Sequence, residues 1–362
     1  MRRIVMEQRN DTAQLLDLMA RPAFCVTDGH ITRVNDRAAA FQITPGTDIA
    51  ALLLTGAEEY AALEGGCLYL TLSVNGQRLG ACVSRLGEFD VFCLEELADS
   101  RELQAMALAA RELRNPLTTV MVTAQQLFPV TGLEQDSVTR EQVARINRGL
   151  YQILRVVSNM SDAGHYAASP ARLETVDIAG VFAEIFAKAA ALLEYTQVSM
   201  EYQGYPDAVF CLADRESLER AVLNMVSNAV KFSHPGDTIQ ASLTRRGQKL
   251  YLTLTDSGDA IPDRIRGDVF TRYQRQCGME DPRFGIGLGM VLIRAAAAAH
   301  GGTVLVDRPH QGGNRITMSI PIRQGSATLR TGIMQVDYTG ERDHGLIELS
   351  QFLPESLYET EI

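Results

Sequence analysis

Four short segments hold the residues with the greatest chemical potential. In Leu223-Asn224-Met225-Val226-Ser227-Asn228-Ala229-Val230-Lys231-Phe232 two asparagines stand four apart and a lysine follows, a spacing that in a helix puts the three on one face. Carboxamide oxygens suit Mg²⁺ and an ammonium complements phosphate, so this face carries the parts of a triphosphate site. Asp256-Ser257-Gly258-Asp259 closes a strand-like run, setting a carboxylate acceptor beside a turn where a flat ring can approach the backbone. Val269-Phe270-Thr271-Arg272-Tyr273 precedes a polar stretch to Arg283 with the character of a lid. Gly285-Ile286-Gly287-Leu288-Gly289 opens an alanine-rich helix that ends near His300, and backbone N–H groups at such a helix start favour phosphate.

Residues 173–322 must position these groups. Helical periodicity covers 181–193 and 217–231, and extended runs cover 238–243, 250–255 and 316–320, an α+β alternation. Upstream, Leu103, Met106, Ala110, Leu113, Leu117, Met121 and Ala124 recur at threes and fours, as do Val143, Ile146, Leu150, Ile153, Val157 and Met160 after a loop with Pro129 and Gly132. Two long antiparallel helices are expected, and a hairpin of this kind cannot bury its apolar faces alone. Pairing with a second copy as a four-helix bundle, hence a homodimer, is the consequence.

Residues 13–95 read as a smaller α+β unit. Extended segments at 23–26 and 31–34 flank Asp28-Gly29, and those at 67–74 and 80–84 flank Asn75-Gly76, with a further strand at 89–94. Short helices are expected at 36–41 and 49–54. The chain ends in an acidic tail: residues 323–362 hold seven acidic side chains and three arginines. There Leu346, Leu349, Leu353 and Leu357 follow helical spacing, interrupted by Pro354, and docking on the chain's own nucleotide unit is expected.

Composition narrows the function. A net charge of −10 and a pI near 5.2 over 362 residues argue against gripping nucleic acid or an anionic membrane. No apolar run approaches the roughly 18–20 residues that span a bilayer, and Arg2-Arg3 leads into a polar stretch rather than a signal core. The expectation is a cytoplasmic protein. Its six cysteines are widely spaced, which fits reduced thiols rather than a disulfide or metal framework.

Taken in order, the four segments resemble the N, G1, F and G2 boxes of the GHKL ATP-binding fold of histidine kinases. Ala-Arg-Glu-Leu-Arg-Asn-Pro-Leu at residues 110–117 resembles the H-box of sensor histidine kinases, and the run from Val26 to Phe41 resembles a PAS sensor domain. The resemblance implies an α+β multidomain protein: a PAS-like α/β sensor (1–96), an antiparallel dimerisation hairpin (97–168), a GHKL-type α/β sandwich (169–323) and the tail (324–362). It implies ATP and Mg²⁺ as ligands, with Asn228 on the metal, Asn224 and Lys231 on the phosphate side, and Asp256, beside Gly258, on the adenine amino group. Arg272 and Gly285, Gly287 and Gly289 would manage the phosphates. Implied partners are a second copy and a response regulator or partner histidine kinase.

Two positions depart from the family pattern. Ala260 stands where the G1 box has a second glycine, and Arg111 stands where the family's phosphoacceptor histidine precedes Glu112. A guanidinium, with a pKa above about 12, has no free lone pair to receive a phosphoryl group. The expectation is therefore a degenerate kinase that binds ATP and regulates a partner. Two rivals remain: an active kinase using another of the six histidines, or a response-regulator phosphatase in which Asn115 orients the attacking water, as the resembling phosphatases do one turn after the histidine. An outright GHKL ATPase is disfavoured, because Asn224 stands where such enzymes carry a glutamate base and Glu219 is more than a turn away.

Overall fold

The computed structural model describes residues 16–17, 19–95, 97–127, 137–168, 171–262, 267, 269–270, 287–310, 312–324 and 343–358. The chain opens with strands β1 (Ala23–Thr27) and β2 (His30–Val34), then helices α1 (Asp36–Ala39) and α2 (Ala57–Ala61), then β3 (Cys67–Val74), β4 (Gln77–Leu86) and β5 (Phe89–Leu94). Both tight hairpins turn on residue pairs with positive φ, Asp28-Gly29 at 49° and 75° and Asn75-Gly76 at 51° and 77°. That geometry matches the twist of the flanking strands. The helix expected over 49–54 is only a 3₁₀ turn, Ile49–Ala51. Its continuation is captured by β3: the Leu54 amide donates to Thr71 O at 3.0 Å and the Ser73 amide to Leu52 O at 2.7 Å.

Helices α3 (Leu97–Leu127) and α4 (Ser137–Ala168) follow and pack together; α3 runs unbroken past Pro116. Ala110, Leu117, Met121 and Ala124 of α3 share one core with Leu150, Leu154 and Val157 of α4. Leu108, Leu113 and Val120 of α3 and Ile146 and Ile153 of α4 are exposed, so Leu113, Ile146 and Ile153 carry the helical period without being covered by this chain. Among the described residues no helix is long and apolar enough to cross a membrane.

The third unit comprises β6 (Glu174–Asp177), α5 (Ile178–Leu193), β7 (Ser199–Gln203), β8 (Phe210–Ala213), α6 (Arg215–Phe232), β9 (Thr238–Arg246), β10 (Lys249–Asp256), α7 (Gly289–Ala299), β11 (Val304–Asp307) and β12 (Asn314–Pro321). A last short helix, α8 (His344–Glu348), and a 3₁₀ turn, Glu355–Tyr358, complete the described chain. Ten strands form one sheet in the order β2-β1-β5-β4-β3-β11-β12-β10-β9-β7. All neighbours are antiparallel except β7 and β9, and β6 pairs with β8 separately.

The join between the first and third units is therefore a strand pairing, with Tyr69, Leu68 and Cys67 of β3 opposite Val304, Leu305 and Val306 of β11. Strand alternation sends Leu68, Leu70 and Leu72 into a core with Phe24, Ile31 and Phe92, while Cys67 and Tyr69 join the larger core of the third unit. Around the join Lys249 Nζ meets Glu59 at 2.9 Å and Glu58 at 3.0 Å. Buried Arg294 of α7 pairs with Glu95 and lies 5.4 Å from the Tyr69 ring centroid.

Candidate functional site

Helix α6 carries the two asparagines, and its start is fixed by Asp214, whose Oδ1 accepts from the Ser217 amide at 3.1 Å. The apolar face of α6 (Leu218, Val222, Met225, Val226, Ala229) is buried in the core, which turns Asn224, Asn228 and Lys231 toward α7 and α4. These three line one cavity with Gly287, Leu288 and Gly289 and with Arg155 and Asn159 of α4. Asn224 Nδ2 donates to Arg220 O at 2.9 Å, so its Oδ1 faces Gly289. Asn228 Nδ2 lies 3.5 Å from Met290 Sδ, leaving its Oδ1 as a hard oxygen donor of the kind Mg²⁺ takes. A Cβ on Gly289 would stand 2.9 Å from Asn224 Oδ1, so the absence of a side chain there keeps the asparagines accessible.

Asp256 ends β10, 5% exposed. Its Oδ1 accepts from the Gly258 amide at 3.1 Å and from Asn314 Nδ2 at 3.1 Å. Burial pushes its carboxyl up to about 6, against those hydrogen bonds, with nearby Asp237 adding to the rise. Gly258 is obligatory in a different sense: a Cβ there would collide with the Phe232 carbonyl at the end of α6. This contact couples the Asp256 turn to the helix that carries the asparagines. Asn314, opposite Asp256 on the adjacent strand β12, is a positioning residue with no sequence signal of its own: its Oδ1 accepts from the Ile261 amide at 2.7 Å while its Nδ2 holds Asp256.

Arg272 and Gly285 lie outside the described residues, as do most of the expected lid residues. Phe270 is fully buried, 5.8 Å from the Tyr69 ring of β3. Ala260 is half-buried beside the Asp256 turn. Arg111, Glu112 and Asn115 are exposed on α3, and the hairpin residues lining the cavity come from α4 alone. Among the histidines, His300 is buried, its Nε2 accepting from the Asp214 amide at 2.9 Å and its Nδ1 donating to Ala296 O at 2.7 Å. Both ring nitrogens are thereby committed to holding α6 to α7. His234 is exposed near Asp237 and Asp259, His344 sits 3.6 Å from Glu219, and the side chain of His165 lies outside the described residues.

The sequence did not point to Arg155, Asn159 or Glu348. All three border the cavity, and the tail docks on α4 as well as on α5 and α6 rather than on the nucleotide unit alone.

Residues 213–324, which span α6, the Asp256 turn and α7, match the family described as "Histidine kinase-, DNA gyrase B-, and HSP90-like ATPase". The unit holding the cavity is thus an ATPase-type domain of that class. Beyond that domain, the chain is similar to sensor histidine kinases. It is 28% identical over 242 residues to the signal transduction histidine-protein kinase/phosphatase MprB of Mycobacterium sp. (strain KMS), covering 64% of this chain and 45% of the relative. It is 28% identical over 205 residues to the swarming motility regulation sensor protein RssA of Serratia marcescens, covering 56% and 42%. The matched region spans less than half the length of either relative. Full-length ShkA in complex with AMPPNP shares the fold, at a TM-score of 0.50 and 20% identity over 62% of this chain and 46% of that one.

Proposed function

We propose that this protein is an ATP-binding, dimeric component of two-component signalling in which the kinase reaction is lost at the acceptor and the nucleotide serves to set conformation. The observation that carries the reading is the contrast between two sites. Asn224, Asn228, Lys231 and Gly289 converge on one cavity, whereas Arg111 stands exposed at the acceptor position of α3 with a guanidinium that cannot accept phosphoryl transfer. Asn228 would hold Mg²⁺, with Asn224 and Lys231 on the phosphate side and Asp256 accepting from the adenine amino group. The ion would supply charge neutralisation to the phosphates. The division into a PAS-like sensor, a dimerisation hairpin, an ATP-binding unit and a tail belongs to the same proposal. Exposed Leu113 and Val120 on α3 and Ile146 and Ile153 on α4, each pair seven residues apart and beside its helix's buried stripe, support the dimer, because apolar side chains repeated along a helix face are stabilised by being covered.

The test is incubation of wild type and Arg111→His with γ-labelled ATP and Mg²⁺, scoring acid-labile protein phosphate. Wild type is expected to stay unlabelled and the variant to label. Label on the wild type would overturn the reading and direct mapping to the remaining histidines. A second reading, a response-regulator phosphatase, is supported by the exposure of Glu112 and Asn115 on the same stretch of α3. It requires that wild type accelerate dephosphorylation of a response regulator and that Asn115→Ala abolish this.

A further inference from the structure

The tail is built into the edge of the candidate nucleotide cavity. Asp343 caps α8, its Oδ1 accepting from the Gly345 amide at 2.7 Å, and Leu346, Ile347, Leu349, Leu353 and Tyr358 are buried in the main core. A row of α4 side chains clamps the segment. Arg148 donates to Ser350 O at 3.1 Å and to Gln351 O at 2.9 Å, and Asn147 donates to Tyr358 O at 2.8 Å. One charged side chain faces the other way. Glu348, 5% exposed, takes Arg155 Nε on Oε1 at 3.0 Å and Asn159 Nδ2 on Oε2 at 3.3 Å, with Ser227 of α6 also bonded to it.

These donors are more than one carboxylate uses. Arg155 Nη1 is buried with no hydrogen-bond partner among the described residues, and the cavity it borders has Lys231, Asn228 and Gly289 on its other walls. A buried guanidinium N–H left over beside an ammonium is a demand for a second anionic oxygen. The space remaining is about 70 Å³, room for a small group. Burial also pushes the Glu348 carboxyl up despite Arg155, so its ionised form is held under strain of desolvation.

We propose that Arg155, Asn159 and Ser227 form the seat of the terminal phosphate of a nucleoside triphosphate, and that Glu348 of the C-terminal segment is the tethered anion that competes for it. This rests on the nucleotide-binding reading above. Nε–H and Nη1–H of Arg155 point in different directions, so a terminal phosphate in the cavity meets the unused Nη1 and reaches Asn159 and Ser227 only where Glu348 has withdrawn. Two anions a few ångströms apart repel, so triphosphate seating requires withdrawal of Glu348, whereas a diphosphate lacks the group that meets it.

The experiment is calorimetric titration of Mg-ATP and Mg-ADP into the full chain as wild type, Glu348→Gln, and Glu348→Gln with Arg155→Gln, with far-UV circular dichroism confirming the fold. In Glu348→Gln, ATP is expected to tighten by about tenfold or more while ADP changes by no more than about twofold. Adding Arg155→Gln should remove that gain. Arg148→Gln, which loosens the clamp without touching the seat, should raise the ATP-to-ADP preference in the same direction and covers the case in which Glu348→Gln does not fold. ADP binding with an unchanged ATP-to-ADP ratio in Glu348→Gln and Arg148→Gln overturns this inference and leaves the nucleotide reading standing; so does a gain that survives loss of Arg155. No binding of either nucleotide by any of the proteins overturns both.

Discussion

Asp256→Asn should reshape the pH dependence of stability in a defined window. The buried carboxyl rises from the ordinary 3.8 to about 6, so the folded chain holds a proton there that the unfolded chain has released. A raised carboxyl of this kind contributes stability that is fully present below pH 3.8 and lost as pH climbs through about 6. At about 1.4 kcal/mol per pH unit the displacement amounts to about 3 kcal/mol. The carboxamide of the variant does not titrate, so any constant difference from altered hydrogen bonding to Asn314 and Gly258 cancels when pH values are compared. The assay is urea denaturation of both proteins at half-unit steps between about pH 4 and pH 8, followed by the difference in unfolding free energy. That difference should move in favour of Asp256→Asn by about 2.4 kcal/mol between pH 4 and pH 7, the remainder of the displacement lying below pH 4, then level off. A difference that stays flat across the window, or moves the other way, refutes the claim that Asp256 is held against its own charge. The same desolvation bears on binding: an adenine amino group donating to the ionised carboxylate should pull the proton off, so nucleotide affinity should rise from pH 5 to pH 7 in wild type and lose this dependence in the variant.

Two further outcomes follow from the packing. Gly289→Ala places a methyl 2.9 Å from Asn224 Oδ1 and 3.5 Å from Asn228 Nδ2; a loss of nucleotide affinity of about tenfold, or about 1.4 kcal/mol, is expected with the fold retained, and unchanged calorimetric affinity would remove Gly289 from the site. Glu95→Gln removes the carboxylate that pairs with Arg294, 4% exposed, at the β3–β11 join. Since Glu95 itself is partly exposed, the destabilisation should be about 1–2 kcal/mol in chemical denaturation, and a change below about 0.5 kcal/mol would show that the join does not depend on this pair.

Local physics made much of the fold legible. Asn75-Gly76 and Asp28-Gly29 announce hairpins because few residue pairs accept two positive φ angles in succession. Strands β3 and β5 lie where alternation and β-branched content put them, and α3 to α6 start within a few residues of the periodic pattern. Strands β6, β7, β8 and β11 escape a sequence reading because four or five residues carry too little pattern to separate a strand from a loop. Leu113, Ile146 and Ile153 show the limit from the other side. Their period marks an apolar face, but not which molecule covers it.

The sequence by itself determined one wall of the cavity. Asn224, Asn228 and Lys231 recur on one helix, where 3.6-residue geometry brings them together whatever the rest of the chain does, and the guanidinium of Arg111, with no lone pair to offer, is a matter of chemistry that no packing alters. Only the tertiary structure decided what stands opposite. Arg155 and Glu348 meet across 193 positions of chain, and Tyr69 reaches Val304 through an edge pairing between two units that each look complete. The physical reason is the same for both. Backbone hydrogen bonds at a strand edge and ion pairs between distant side chains leave no period in the sequence, because their partners are fixed by the path of the whole chain rather than by the residues beside them.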